Sequence, residues 1–131
     1  MVTDPIADFL VQMQNASRTN KETVDIPYSK LKENIAKLLV REGYLEKVVA
    51  KGEGVTKTLA LTLKYAPDKS PRLHEARRVS KLSRRMYVPY RDVKPFKFGK
   101  GLRVLSTPRG IITDIDAKKE KVGGEVLFTI W

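Results

Sequence analysis

The spacing of apolar residues changes part-way along this 131-residue chain, and the change limits the folds that the sequence can adopt. Up to Ala66, apolar residues recur at three- and four-residue intervals in two segments, which is typical of amphipathic helices. Beyond Pro71 the apolar runs are short and alternate with polar residues, which is typical of strands. The segment between these two residues contains two prolines and is a linker by composition. The sequence therefore predicts an α+β fold of two small lobes, residues 1–66 and 67–131.

The N-terminal lobe carries start and stop signals for two helices. Asp4 followed by Pro5 fits a helix start, because Asp accepts bonds from free backbone N–H groups and proline has no N–H to leave unpaired. The polar stretch Asn15 to Lys21 is predicted to end this helix, Ser29 is predicted to cap the second, and Gly43 suits the position beyond its end. The apolar stripes expected to be buried are Ile6, Phe9, Leu10 and Met13 in the first helix and Leu31, Ile35, Leu38 and Leu39 in the second. With strands around residues 24–26, 44–50 and 59–65, the lobe is predicted to run helix-strand-helix-strand-strand.

The C-terminal lobe is predicted to be mainly β with one short helix. Short apolar runs predict strands around residues 73–79, 85–88, 102–106, 111–112 and 125–131. Residues 114–121 have space for the helix, with Asp114 as its cap and Asp116 on a solvated surface. Gly99-Lys100-Gly101 is expected to form a hairpin turn, because neither a third glycine at dinucleotide-binding spacing nor a Walker pattern is present.

Most catalytic and metal chemistry lacks its residues in this sequence. Cysteine is absent, which removes disulfides, thiolate nucleophiles and sulfur-ligated zinc. His74 is the single histidine and is expected to be structural or solvent-facing, while no nucleophile-elbow pattern surrounds Ser106. We therefore predict that the protein is not an enzyme and uses no cofactor, metal or small-molecule substrate.

The sequence also lacks signals for membranes or export. No run approaches the roughly 20 apolar residues that a membrane-spanning helix needs. The first residues fit neither a signal peptide nor a transit peptide. A cytoplasmic protein without a membrane partner is expected.

Positive charge is concentrated in the C-terminal lobe. The chain has a net charge of +11, and its first 66 residues hold 10 basic and 8 acidic residues (+2) whereas the remainder holds 16 and 7 (+9). Uniform solubilising charge would not divide in this way, but a polyanion-binding face would. Membrane surfaces usually recruit basic amphipathic helices, whereas these basic residues lie mostly in strand and loop patterns. Nucleic acid is therefore the favoured partner.

Cations and aromatic rings alternate in the most basic part of this lobe. Cations can neutralise phosphates and rings can stack on unpaired bases, although a solvated loop with a few core aromatics is the plainer interpretation. The residues concerned are Arg77, Arg78, Lys81, Arg84, Arg85, Tyr87, Tyr90, Arg91, Lys94, Phe96, Lys97 and Phe98.

Two further segments combine small and polar residues. Ser106-Thr107-Pro108-Arg109-Gly110 lies between two predicted strands, where the hydroxyls either bond the turn backbone or contact RNA. Gly123-Gly124-Glu125 precedes the last strand. Its carboxylate either braces an arginine or accepts hydrogen bonds from base amino groups.

Taken together, the residues resemble the small ribosomal subunit protein eight family of bacterial-type ribosomes, essentially from end to end. Order and spacing, rather than any single motif, carry the resemblance. The matching segments are Asp4-Pro5-Ile6-Ala7-Asp8, Asn15, Pro27, Ser29 to Gly43, Leu61-Thr62-Leu63-Lys64-Tyr65, Arg78-Val79-Ser80-Lys81, Arg85, Tyr87, Gly99-Lys100-Gly101, Leu105-Ser106-Thr107, Gly110, Thr113-Asp114, Ala117 and Val122-Gly123-Gly124-Glu125-Val126-Leu127.

The resemblance implies an RNA-binding ribosomal protein with an N-terminal α/β lobe and a mostly β C-terminal lobe. It implies early binding to an irregular helix in the central domain of small-subunit ribosomal RNA, contact with neighbouring small-subunit proteins, and possible repression of its own operon messenger RNA. The RNA contacts it implies are chiefly Ser106, Thr107, Tyr87 and Glu125, with Arg85, Asn15, Arg18 and Lys30 as backbone contacts. Gly124, Lys81 and Arg109 complete the candidate site.

The chain departs from the family pattern at two places. Pro108 stands where the family usually has a hydroxyl residue, which implies a missing or replaced RNA hydrogen bond. Leu82-Ser83 stands where the family usually has Pro-Gly. Two other functions remain open from the residues alone, a non-specific architectural DNA-binding protein and an RNA-modifying or RNA-cleaving enzyme, although no acid–base pair, metal cluster or cofactor loop supports the latter.

Overall fold

The computed structural model describes residues 4–81, 84–93 and 101–131 of the chain. These residues form two compact units, one of Pro5–His74 and one of Glu75–Trp131 together with Asp4. The predictions made for the turn at Gly99-Lys100, for Leu82-Ser83 and for the cations and rings between residues 94 and 98 lie outside the described residues.

The first unit has the predicted helix-strand-helix-strand-strand order. Its elements are α1 Pro5–Arg18, β1 Thr23–Pro27, α2 Lys30–Arg41, β2 Leu45–Lys51, a 3₁₀ turn at Gly54–Thr56, and β3 Thr58–Leu63. The three strands form an antiparallel sheet with β3 in the centre, in the order β1-β3-β2. The α+β class predicted from periodicity is confirmed.

Helix α1 buries its predicted stripe and ends where the sequence indicated. Ile6, Phe9, Leu10 and Met13 are all buried. The helix ends at Arg18, within the polar stretch Asn15 to Lys21 that was predicted to end it, and Ala16 and Ser17 extend the buried stripe by one turn.

Helix α2 has the two predicted end signals. The Ser29 hydroxyl accepts the Lys32 N–H at 3.2 Å, and Gly43 takes a positive φ of 88° beyond the C-terminus. The Tyr44 N–H reaches back to the Leu39 carbonyl at 2.9 Å, which completes a Schellman-type end. One stripe residue, Leu31, was placed wrongly: it lies in the first turn and is 39% exposed, so the covered face begins at Ile35.

The second unit is a five-stranded antiparallel sheet with one short helix. Its elements are β4 Ala76–Arg78, β5 Tyr87–Val88, a 3₁₀ turn at Tyr90–Asp92, β6 Leu102–Thr107, β7 Gly110–Thr113, α3 Asp114–Glu120 and β8 Gly124–Ile130. The strand order is β4-β8-β6-β7, and β5 also pairs with β8. Strand β8 therefore contacts three other strands and organises this unit.

The N-cap of helix α3 lies one residue earlier than predicted. Thr113, not Asp114, is the N-cap, and its hydroxyl accepts the Asp116 N–H at 3.2 Å. Asp116 bonds back to the Thr113 N–H and so belongs to a capping box rather than to a solvated surface. Asp114 is buried, and its carboxylate accepts the Arg103 N–H at 3.4 Å.

A small apolar core lies where α3 covers the sheet. Val93, Leu105, Ala117 and Val126 are its fully packed members. This core lies against β6 and β8 at Leu105 and Val126. None of the helices in the described ranges is long and apolar enough to span a membrane.

Candidate nucleic-acid interface

Three predicted site residues lie side by side on adjacent strands. Glu125 on β8 pairs directly with Tyr87 on β5 and with Ser106 on β6. Their neighbours Leu105 and Val126 pack into the core under α3, so Ser106 and Glu125 point to the opposite face. We call Tyr87, Glu125 and Ser106 the β8 row.

The β8 row offers three different chemical groups within a short distance. Strands lie about 4.8 Å apart, so the row spans about 10 Å from Tyr87 to Ser106. The Tyr87 side chain is 70% exposed, while Ser106 and Glu125 are half-buried. Within the described part of the chain the Ser106 hydroxyl has no hydrogen-bond partner. A stacking surface, a carboxylate and an available hydroxyl are thus presented together.

The Glu125 carboxylate is held by two donors on one of its oxygens. The Ser80 hydroxyl and the Arg85 guanidinium both donate to Oε2, the latter at 2.9 Å. The Glu125 side chain is 16% exposed and that of Arg85 is 42% exposed. Glu125 therefore braces an arginine, one of the two roles that the sequence left open, while Oε1 takes part in neither bond.

These contacts keep Glu125 ionised. Burial acts to raise the pKa of Glu125, but hydrogen bonds from Ser80 and Arg85 oppose it, as do the positive charges of Arg85 and Arg78. The pKa of Glu125 consequently lies below its ordinary value. The row keeps a negative charge inside a basic region at neutral pH.

The two hydroxyls at the β6–β7 corner have different surroundings. The Thr107 hydroxyl accepts the Arg109 N–H at 3.0 Å and donates to the Gly110 carbonyl at 3.0 Å. Thr107 therefore stabilises the turn, which is the plainer of the two roles considered for it, whereas Ser106 has its hydroxyl available.

The glycine pair before β8 is required by close backbone approach. A Cβ on Gly123 would lie 2.3 Å from the Val88 carbonyl oxygen, and one on Gly124 would lie 2.3 Å from the Ser106 carbonyl oxygen. Side chains at these positions would push β5 and β6 away from β8. Gly124 is thus needed to assemble the β8 row, whatever else it contacts.

Comparison with known proteins decides the family. The profile of the family described as Ribosomal protein S8 matches residues 4–131. The chain belongs to the ribosomal protein S8 family. It is 43% identical to the small ribosomal subunit protein uS8 of Solibacter usitatus over the full length of both chains, and 45% identical to that of Dictyoglomus thermophilum, with 99% of this chain and 98% of the relative covered. The uS8 of Chloroflexus aurantiacus is 43% identical with the same coverage.

Family membership confirms the resemblance drawn from the order of the motifs. It also confirms the prediction of a ribosomal protein rather than an enzyme, because the family is one of ribosomal proteins.

Exposed cations lie at both ends of the β8 row in this S8-family chain. Lys81 and Arg84 bond each other through their backbones, at 2.9 and 3.0 Å, and both side chains are exposed near Arg85. Arg109 is exposed in the β6–β7 turn, three residues after Ser106. The polar row is therefore flanked by groups that can neutralise phosphates.

The remaining predicted contacts belong to the first unit. Asn15, Arg18 and Lys30 are exposed, the first two on α1 and the third at the start of α2. The Arg18 guanidinium bonds the Gln14 side-chain oxygen at 3.5 Å. They belong to the first unit, whereas the β8 row belongs to the second.

One residue at the site, Ser80, was not singled out by the sequence as a contact. It is fully buried and bonds Glu125, which follows it by 45 residues. No local pattern marks such a residue, because its importance comes from a long-range strand pairing. Across the described ranges, no group of three or more potential metal ligands is present.

Proposed function

We propose that this protein is a structural constituent of the small ribosomal subunit that binds an irregular helix in the central domain of small-subunit ribosomal RNA and aids subunit assembly. Its partners are then that RNA and neighbouring small-subunit proteins, and it works on the ribosome in the cytoplasm. The S8-family relatives are named as small ribosomal subunit proteins, which supports this setting. The β8 row is the observation that carries the RNA-binding part.

Each member of the β8 row suits a different part of an irregular RNA. The exposed Tyr87 ring can stack on an unpaired base or a sugar. The Ser106 hydroxyl can both donate and accept, so it suits base edges and the ribose 2′-OH. The free Oε1 of Glu125 suits an amino group or a 2′-OH. Such groups need bases that regular A-form pairing does not hide, which favours an irregular helix.

The flanking cations have a separate task in this proposal. Lys81, Arg85 and Arg109 bind phosphates and set the position of the RNA, but they carry little sequence information. Asn15, Arg18 and Lys30 add backbone contacts from the first unit. The C-terminal lobe, residues 67–131, supplies most of the affinity because it holds most of the net positive charge.

The same surface would also serve a messenger RNA that carries a similar irregular helix. Repression of the protein's own operon messenger RNA therefore requires no second binding site. Excess free protein would bind that RNA once the ribosomal site is filled.

Crosslinking of the protein to RNA in cells, followed by sequencing, tests the proposal. We expect one dominant site in the central domain of small-subunit ribosomal RNA. Crosslinks spread over unrelated RNAs would contradict it. Titrations with that RNA and with duplex DNA at one salt concentration distinguish this proposal from the architectural DNA-binding alternative. The alternative predicts equal affinities for the RNA and the DNA.

A further inference from the structure

The buried hydroxyl of Ser80 lies at the junction of three parts of the candidate interface. Ser80 is 0% exposed. Its oxygen accepts the Met86 N–H at 3.1 Å, and its proton is donated to Oε2 of Glu125. Arg85, next to Met86 in the chain, donates to the same Oε2. One hydroxyl thus connects β8 to the segment that carries the arginine.

Backbone bonds already hold this segment to β8 without the hydroxyl. The Ser80 N–H donates to the Val126 carbonyl at 3.1 Å, and the Val126 N–H donates to the Met86 carbonyl at 2.8 Å. These two backbone bonds therefore hold the segment to β8 independently of the Ser80 hydroxyl. What the hydroxyl adds is a bond to the Glu125 side chain, whose orientation the backbone does not determine.

We propose that Ser80 is a positioning residue for RNA recognition, which fixes the Glu125 carboxylate in the β8 row and, through it, the Arg85 guanidinium. This inference rests on the proposed function. Glu125 and Arg85 both have several rotatable bonds, and side chains that are already ordered lose less entropy when a partner binds. Ser80 itself is buried and would touch no RNA.

A double-mutant cycle on the full chain provides the test. The probe is a transcript of the central domain of small-subunit ribosomal RNA, and the variants are Ser80→Ala, Glu125→Ala and both together. A hydrogen bond to a charged group is lost in the first variant, so we expect affinity to fall about tenfold. Since Ser80 acts through Glu125, adding Ser80→Ala to Glu125→Ala should change affinity no further. Additive losses in the double variant would overturn the proposal.

Thr113→Ala is the matched control for a general loss of stability. Thr113 is also a buried hydroxyl residue in this unit, and its hydroxyl caps α3 instead of bonding a side chain of the β8 row. We expect Thr113→Ala to lower the melting temperature and leave RNA affinity within twofold of wild type. An equal loss of affinity in Thr113→Ala and Ser80→Ala would assign Ser80 a merely structural role.

A spectroscopic measurement reads the Ser80–Glu125 bond directly. The Ser80 bond lowers the pKa of Glu125, as do Arg85 and Arg78, the charged groups that act on it, while Tyr87 stands beside it on β5. NMR titration of the Glu125 carboxyl carbon should give a higher pKa in Ser80→Ala than in wild type, and no change in Thr113→Ala. An unchanged pKa in Ser80→Ala would contradict the proposal.

The two measurements separate failure of this inference from failure of the proposed function. If the wild-type protein binds the central-domain transcript no better than a scrambled one, the proposed function fails, and the NMR titration still tests the Ser80–Glu125 bond. If wild type discriminates and Ser80→Ala binds as wild type does, only the positioning role fails. Should Ser80→Ala prove unfolded, Ser80→Cys replaces the hydroxyl with a slightly larger thiol that donates only weakly, and full wild-type affinity of that variant would overturn the proposal.

Discussion

The two units place their polar side chains in different ways. In the described part of the chain, Ser17 is the one buried polar side chain of the first unit, whereas the second buries Ser80, Thr113, Asp114 and Thr129. The first unit relies on an apolar core and on signals at helix ends. In the second unit the buried Ser80 hydroxyl bonds the Glu125 carboxylate, and the buried Asp114 carboxylate accepts the Arg103 N–H. Fully satisfied buried polar networks hold their members rigidly, and for this reason we expect the second unit to carry the recognition contacts.

Glycine-to-alanine substitutions should give the largest difference between the two units in the free energy of unfolding that is lost. Gly124→Ala places a methyl group against the Ser106 backbone and should lower the free energy of unfolding by about 3 kcal/mol. Gly54→Ala in the first unit meets nothing within 4 Å, although its φ is +60°, and should cost only about 1 kcal/mol. Chemical denaturation of both variants measures the difference. Equal losses would mean that the sheet around β8 adjusts easily.

The hydroxyls of Ser106 and Thr107 should separate recognition from stability. Ser106→Ala should weaken binding of the central-domain RNA by about 1 kcal/mol and leave unfolding unchanged, because its hydroxyl has no partner in the described structure. Thr107→Ala should lower both affinity and stability, since it removes two bonds of the turn. Binding titrations and thermal denaturation of each variant provide the check. If Ser106→Ala binds as wild type does, the corner is only a turn.

Exposed lysines in the two units should differ in their effect on salt dependence. Lys81→Gln should reduce the slope of log affinity against log salt by about one, because one phosphate contact and its released counterions are lost. Lys47→Gln on β2, an exposed lysine of the first unit, is the matched control and should leave the slope unchanged. Titrations at four salt concentrations measure both slopes. Equal changes would show that the charge acts as a diffuse field.

Local signals explain how much of this structure the sequence could predict. The signals for both helices of the first unit are local, because each depends on residues within a few positions along the chain. They are the Ser29 cap, Gly43 beyond the C-terminus of α2, and the apolar stripe of α1. Thr113 and Asp114 are both good caps, and only the backbone geometry decides that Thr113 takes the role.

The candidate site depended on pairings that local patterns do not encode. Strand β5 has two residues, and it pairs with a strand more than 30 positions later in the chain. The family resemblance named Tyr87, Glu125 and Ser106, but their neighbourhood in one row follows from the sheet order. For the same reason nothing in the sequence connected Ser80 to Glu125.

Lowering the pH should give the smallest difference in stability between variants of the two units. The pKa of Glu125 is lowered in the folded state, so its contribution to stability is present above the unfolded value of about 4.5 and is lost as pH falls through the lower folded value. The free energy of unfolding of Glu125→Gln should therefore fall less between neutral and acid pH than that of wild type. Asp68 in the first unit also has a lowered pKa, chiefly through its bonds with Ser70, but its carboxylate is fully exposed. Asp68→Asn should therefore reduce the loss of stability at acid pH by less than Glu125→Gln does. Unfolding free energies measured between about pH 3 and 7 compare the two; the reverse order would contradict this assignment.

We expect the second unit to recognise RNA through defined contacts and not by charge alone, and Glu125→Gln separates these two modes of binding. A glutamine can still present its amide oxygen to Ser80 and Arg85, but its NH₂ group then replaces the acceptor Oε1 with a donor. Generic attraction predicts slightly tighter binding, because a negative charge near phosphate is removed.

The measurement is a pair of titrations at one salt concentration, with the central-domain ribosomal RNA and with a scrambled duplex, after the fold of the variant has been verified. We predict a selective loss of about 1.5–3 kcal/mol on the ribosomal RNA and little change on the duplex, as expected for a charge-assisted hydrogen bond. Tighter binding to both RNAs would contradict the recognition role of Glu125.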